Sequence, residues 1–159
     1  MTKDLIQAYT ARITQASKTE LIVIMYEIVL EDIKAAKISY KNNDIESYNK
    51  ELKHAQRFIN ELMGALNYKY NVSYDLMNLY IFANKAIITA MFKKTPDKLD
   101  EAEIVLEKLY NGFKEISKED TSGSVMQNTQ QLYAGLTYGK GVLNETFIDP
   151  QQQNRGFMA

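Results

Sequence analysis

The chain has a single histidine, and it closes the run Glu51-Leu52-Lys53-His54. On a helix, Glu-x-x-His sets a carboxylate and an imidazole one turn apart. That is half of the ligand set with which ferritin-like bundles hold two metal ions. The other half needs a second histidine, which this chain does not have. The apolar positions of the segment are Leu52 and Ala55, so Glu51 and His54 read as a solvated helix face. No metal is expected. A mid-helix histidine can also carry a phosphoryl group, as in histidine phosphotransfer domains. That chemistry needs an open imidazole, a nearby cation and room for the partner. Arg57 lies about one turn on and offers the cation, but bulky Phe58 stands where close docking needs space. Phosphotransfer through His54 is kept as an alternative. The leading expectation is a surface histidine, dispensable for folding and binding.

The other chemical candidates fail on spacing. Gly135-Leu136-Thr137-Tyr138-Gly139-Lys140-Gly141 superficially suggests a phosphate loop. A P-loop needs two glycines five apart followed by Lys and Ser or Thr, between a strand and a helix. No Ser-His-Asp set can be assembled, and the carboxylates fall mainly on polar helix faces. The reading is therefore non-enzymatic: no catalytic residue and no cofactor. Lys plus Arg (19) nearly balances Asp plus Glu (20), which gives nucleic acid no electrostatic hold. The absence of cysteine removes disulfide and thiol chemistry and fits a reducing compartment. "MTKDLIQAYTAR" lacks the apolar core and cleavage site of a signal peptide. The expectation is a soluble cytoplasmic protein without membrane insertion.

Helix punctuation is clear. Ser17-Lys18-Thr19-Glu20 is a capping box and starts a first helix over 18–41. Asn42-Asn43-Asp44 makes a turn, with Asp44 the N-cap of a second helix. Ser73 is expected to cap a third. Thr95-Pro96-Asp97 is read as N-cap, first helical proline and first-turn acid of a fourth. Apolar residues recur in steps of three and four: Ile22, Tyr26, Val29, Ile33, Ala36 and Tyr40 in the first helix, and Ile45, Tyr48, Leu52, Ala55, Ile59, Leu62 and Leu66 in the second. The third has Leu76, Leu79, Ala83, Ala86 and Ala90, the fourth Leu99, Ala102, Leu106, Leu109, Phe113 and Ile116. Four helices with short connections predict an all-α fold, an antiparallel up-down-up-down four-helix bundle over residues 17–119. Residues 1–16 form a short leader. Residues 120–159 form a linker and a flexible tail, in which Leu132, Tyr133, Leu136, Tyr138, Val142, Leu143 and Phe147 are expected to dock in part.

The first helix carries more apolar surface than one seam requires. Glu20 to Leu30 reads "ELIVIMYEIVL", and Leu21, Ile24, Met25, Ile28 and Leu30 widen the stripe well beyond the core positions. Charges at Glu20, Glu27, Glu31 and Asp32 bracket the run too closely for a membrane helix, which needs ~20 apolar residues. A peptide-binding groove is the sharper reading, filled from the leader, the tail or a partner.

Three segments, "QASKTELIVIMYE", "INELMGALN" and "DLMNLYIF", resemble in order and spacing the FliS family of flagellar export chaperones. Ala16, Ser17, Glu20, Leu21, Met25 and Tyr26 match its cap and the start of its first bundle helix. Leu62, Leu66 and Asn67 resemble the end of the next helix, and Leu76, Leu79, Tyr80 and Phe82 the "Leu-x-x-Leu-Tyr-x-Phe" of the one after. The likeness runs over about residues 13–118. Lys18 stands where the family commonly has proline, Glu27-Ile28 where it has Asp/Asn-Gly, and Phe113 where it has tryptophan. The resemblance implies a chaperone that binds the C-terminal segment of flagellin, blocks premature polymerisation and serves the flagellar type III export apparatus. The implied groove is Leu21, Ile24, Met25 and Ile28 with Leu76, Leu79 and Tyr80. The leader, through Leu5, Ile6, Tyr9 and Ile13, is expected to occupy it when the client is absent. A homodimer, or a purely structural helical oligomer, stays open at this point.

Overall fold

The computed structural model describes residues 1–125, and all regular structure within them is helical: α1 Lys3–Gln15, α2 Lys18–Lys41, α3 Ile45–Gly64, α4 Val72–Lys93 and α5 Leu99–Glu119. There are thus five helices where the sequence reading has four. The leader is itself a helix. Thr2 caps it by accepting from the Leu5 N–H, and Asp4 sits in the first turn, where the helix dipole favours an acid. Expected tail residues beyond 125 lie outside the described residues.

The cap of α2 forms as its sequence dictates. Ser17 Oγ accepts from the Glu20 N–H, and the Glu20 carboxylate accepts from the Ser17 N–H at 2.9 Å. Asp44 likewise takes the Ser47 N–H at 3.0 Å and opens α3. Two expected starts are corrected. Ser73 lies inside the first turn of α4, where its hydroxyl donates to the Asn67 carbonyl at 2.6 Å and ties the α3–α4 connection. Thr95 and Pro96 precede α5 rather than opening it. Lys94 ends α4 in the left-handed region (φ 54°), and the Leu99 N–H bonds to the Pro96 carbonyl at 2.9 Å, so the chain spends one turn reversing before α5 begins at Leu99.

The four longer helices close a ring. α2 packs on α3 and α5, and α4 packs on α3 and α5. Lys37, late in α2, pairs with Asp100 (2.6 Å) and with Glu103, early in α5. Tyr48, early in α3, donates to the Ala90 carbonyl late in α4 at 2.9 Å. The ring interior holds Tyr26, Val29, Ile33, Tyr48, Leu52, Ile59, Leu62, Tyr80, Ile87 and Leu106, all essentially without solvent contact. Tyr26 and Tyr80 meet through their hydroxyls at 2.5 Å, so two buried phenols satisfy each other. Ile116, expected in the core stripe of its helix, is exposed. The stripe stops at Phe113, which packs its ring on Tyr26 at 5.5 Å. Beyond α5 the chain folds back, and the Val125 N–H bonds to the Ala16 carbonyl at 3.2 Å.

Candidate functional site

α1 lies against α2, outside the ring. Its apolar side buries Tyr9 and Ile13 and partly buries Leu5 and Ile6. Polar ties fasten it. The Arg12 guanidinium forks onto the Glu27 carboxylate of α2, one arm at 3.1 Å, and the Tyr110 hydroxyl of α5 donates to the same carboxylate at 3.0 Å. At the other end the Met1 ammonium reaches Glu51 of α3 at 3.2 Å. α1 therefore crosses α2, with its first residue on the α3 side and Arg12 on the α5 side.

The face it crosses follows from helical spacing. Ile24, Glu27, Ile28 and Glu31 share one side of α2 at the steps of three and four that bring side chains into line. Ile24 and Ile28 are buried, as are Leu21 and Met25 one column over. The apolar excess of "ELIVIMYEIVL" is thus enclosed rather than open. Of the candidates on α4, Leu76 and Tyr80 are buried and Leu79 half-buried. α2 and α4 face each other across the ring and meet through the tyrosine pair, so the two sets of candidates do not line one open surface. The leader residues Leu5, Ile6, Tyr9 and Ile13 do come together, on one side of α1.

Beside this cover lies a polar group that the sequence reading missed. Asp32 of α2 is 1% exposed. Its Oδ2 is 2.6 Å from His54 Nδ1 of α3, and the imidazole stands edge-on to Phe58 with ring centres 5.1 Å apart. Burial pushes the Asp32 carboxyl up to about 6; the His54 hydrogen bond and charge oppose the rise, and Glu51 adds to it. Above that value Asp32 is a carboxylate and the imidazole Nδ1–H donates to it. His54 is therefore not the free surface histidine expected. It is the partner of a buried acid, and Glu51, expected in solvent, is half-buried against the chain's amino group. The only signal in the sequence was an aspartate between Ile28 and Ile33, on the apolar side of its helix.

A cleft of about 610 Å³ opens where Tyr9 of α1 meets α2 and α5, lined by Glu27, Glu31, Glu103, Glu107 and Tyr110 among others. Burial and the neighbouring glutamates raise the Tyr9 phenol. These groups give α1 an uneven seat: apolar under Ile13, acidic around Tyr9 and Arg12. A second apolar surface is exposed among the described residues. α4 turns Tyr74, Ile81, Ile88 and Phe92 outward, with Phe92 86% exposed. No helix among the described residues is long and apolar enough to cross a membrane. What the arrangement offers chemically is apolar surface with polar fasteners.

Comparison with curated proteins returns no match. A family model described as flagellar protein FliS matches residues 1–120, from the start of the chain to the end of α5, and the chain belongs to the FliS family.

Proposed function

We propose that this chain is a cytoplasmic flagellar export chaperone. Its client is the C-terminal segment of flagellin, which it keeps from polymerising and hands to the type III export apparatus. Membership of a flagellar protein family supports the general role. One observation supports the particular reading: a short helix, α1, lies over the outer apolar face of α2. α1 has 13 residues. Isolated helices of that length are marginal in water, so α1 owes its order to what it rests on. Its outer tie, Arg12 to Glu27, is half exposed on the arginine side and worth no more than ~1 kcal/mol.

A disordered amphipathic client gains helix only where it can bury an apolar face. In this reading Leu21, Ile24, Met25 and Ile28 offer such a face once α1 departs, and Leu5, Ile6, Tyr9 and Ile13, which belong to the same apolar cluster, are the residues that leave it. Leu76, Leu79 and Tyr80 enter as the support behind the site rather than as its lining. The scaffold is the antiparallel up-down-up-down four-helix bundle that the short connections favour, and it stays closed while the cover is exchanged. No catalytic step is assigned.

Titration calorimetry with a peptide from the C-terminus of the cognate flagellin tests the reading. Binding with a negative heat-capacity change is expected, because apolar area leaves water. An absence of binding would overturn it.

A further inference from the structure

The bare side of α4 is the largest apolar feature that the proposed function leaves unused. Tyr74, Ile81, Ile88 and Phe92 follow one another at seven, seven and four residues, so they form one stripe along the helix. All four are exposed, and Tyr68 and Tyr70 extend the patch over the α3–α4 connection. Lys85 is the one cation within the stripe. A helix with a core face and a second apolar face has a second partner.

We propose that this partner is the chain's own C-terminal segment, residues 132–147. Three observations favour it. The first is where the described chain stops. Val125 is held at the α1–α2 junction by its bond to Ala16. That junction lies at the end of the ring where α2 begins. Because the end of α2 meets the start of α5, and the start of α3 meets the end of α4, the exposed tyrosines and the first turn of α4 lie at this same end.

The second is reach. Residues 126–131 span up to roughly 20 Å when extended. That is enough to cross a ring whose neighbouring helix axes are about 10 Å apart. The third is pattern. Leu132, Leu136, Leu143 and Phe147 are spaced by four, seven and four, which places them on one side of a helix.

A tether decides between this occupant and a second copy. A short flexible linker holds its segment at an effective concentration of roughly millimolar, which a dilute second copy does not match. The segment also contains Gly135, Gly139 and Gly141, each costing about 1 kcal/mol in a helix. The docked form is therefore weak and exchangeable. The family match ends at residue 120, before this segment. The docking does not rest on the flagellin reading.

The chain has no cysteine, so Lys85→Cys in the full-length protein introduces a unique, exposed thiol for a spin label. The expected result is loss of the amide resonances of residues 132–147 through paramagnetic broadening. A label at Lys34→Cys on α2 should leave them sharp. Ile81→Glu with Ile88→Glu, both at exposed positions, should restore them in the Lys85→Cys protein. Sharp tail resonances next to the Lys85→Cys label would overturn the proposal. So would equal broadening from both labels. Broadening in a mixture of spin-labelled, unenriched protein with unlabelled, isotope-enriched protein would assign the stripe to a second copy instead.

Discussion

α2 and α4 are both apolar on two sides, yet among the described residues only α2 has its second side covered. The outward residues Ile24 and Ile28 of α2 are buried, while Ile81, Ile88 and Phe92 of α4 are exposed among the described residues. The difference is made by α1 and by the polar groups that hold it: Arg12 on Glu27, and Met1 on Glu51. It teaches that apolar periodicity identifies a face without saying whether the face is filled. A covered face brings cavity and desolvation costs into play when it is altered. A bare face brings neither.

The comparison predicts a ladder of effects. Ile28 has no solvent contact, so Ile28→Ala should lower the unfolding free energy by about 2–5 kcal/mol in urea titration. A loss under 1 kcal/mol would mean that α1 covers that face only loosely. His54→Ala comes next. It strands the buried Asp32 carboxylate, and a cost of about 1–3 kcal/mol is expected at neutral pH, shrinking in acid as Asp32 takes a proton. Unchanged stability at both pH values would return His54 to the role of a free surface residue.

Asp32 itself gives a pH signature. Its folded carboxyl titrates at about 6 against an ordinary 3.8. The fold binds this proton more tightly than the unfolded chain does. The associated stability is complete below pH ~4 and is lost as pH rises through ~6. Asp32→Asn should therefore gain on the parent protein across that window, by at most ~3 kcal/mol. Parallel stability curves for the two would contradict the linkage. The smallest effect belongs to α4: Ile88→Ser, at a position 46% exposed, should change stability by no more than ~0.5 kcal/mol. A large loss there would show the stripe to be tightly packed rather than covered by a weak, exchangeable segment.

Local chemistry was legible in the sequence wherever one stretch of chain settles it. The capping box of Ser17 and Glu20, the Asp44 cap and the core positions Tyr26, Leu52, Ala83 and Leu106 need only neighbours a turn away. Thr95-Pro96 misled because the same residues suit a turn before a helix as well as its start. The left-handed Lys94 tipped the balance toward the turn. Leu5, Ile6, Tyr9 and Ile13 carried helical spacing in view, but whether so short a helix forms depends on its seat. The Asp32–His54 pair joins residues 22 apart on two helices, and only the register of α2 against α3 reveals it. The same register turns Glu51 toward the chain's amino group.

In the proposed function, α1 and the client compete for one face of α2. Hydrogen exchange of the full chain, free and saturated with the flagellin C-terminal peptide, tests this competition most directly. In the free protein the amides of residues 7–15, within α1, should be protected. On binding they should lose protection, while those of α2 around Ile24 and Ile28 keep or gain it. Protection of α1 that persists in the bound state would place the client elsewhere and contradict the account.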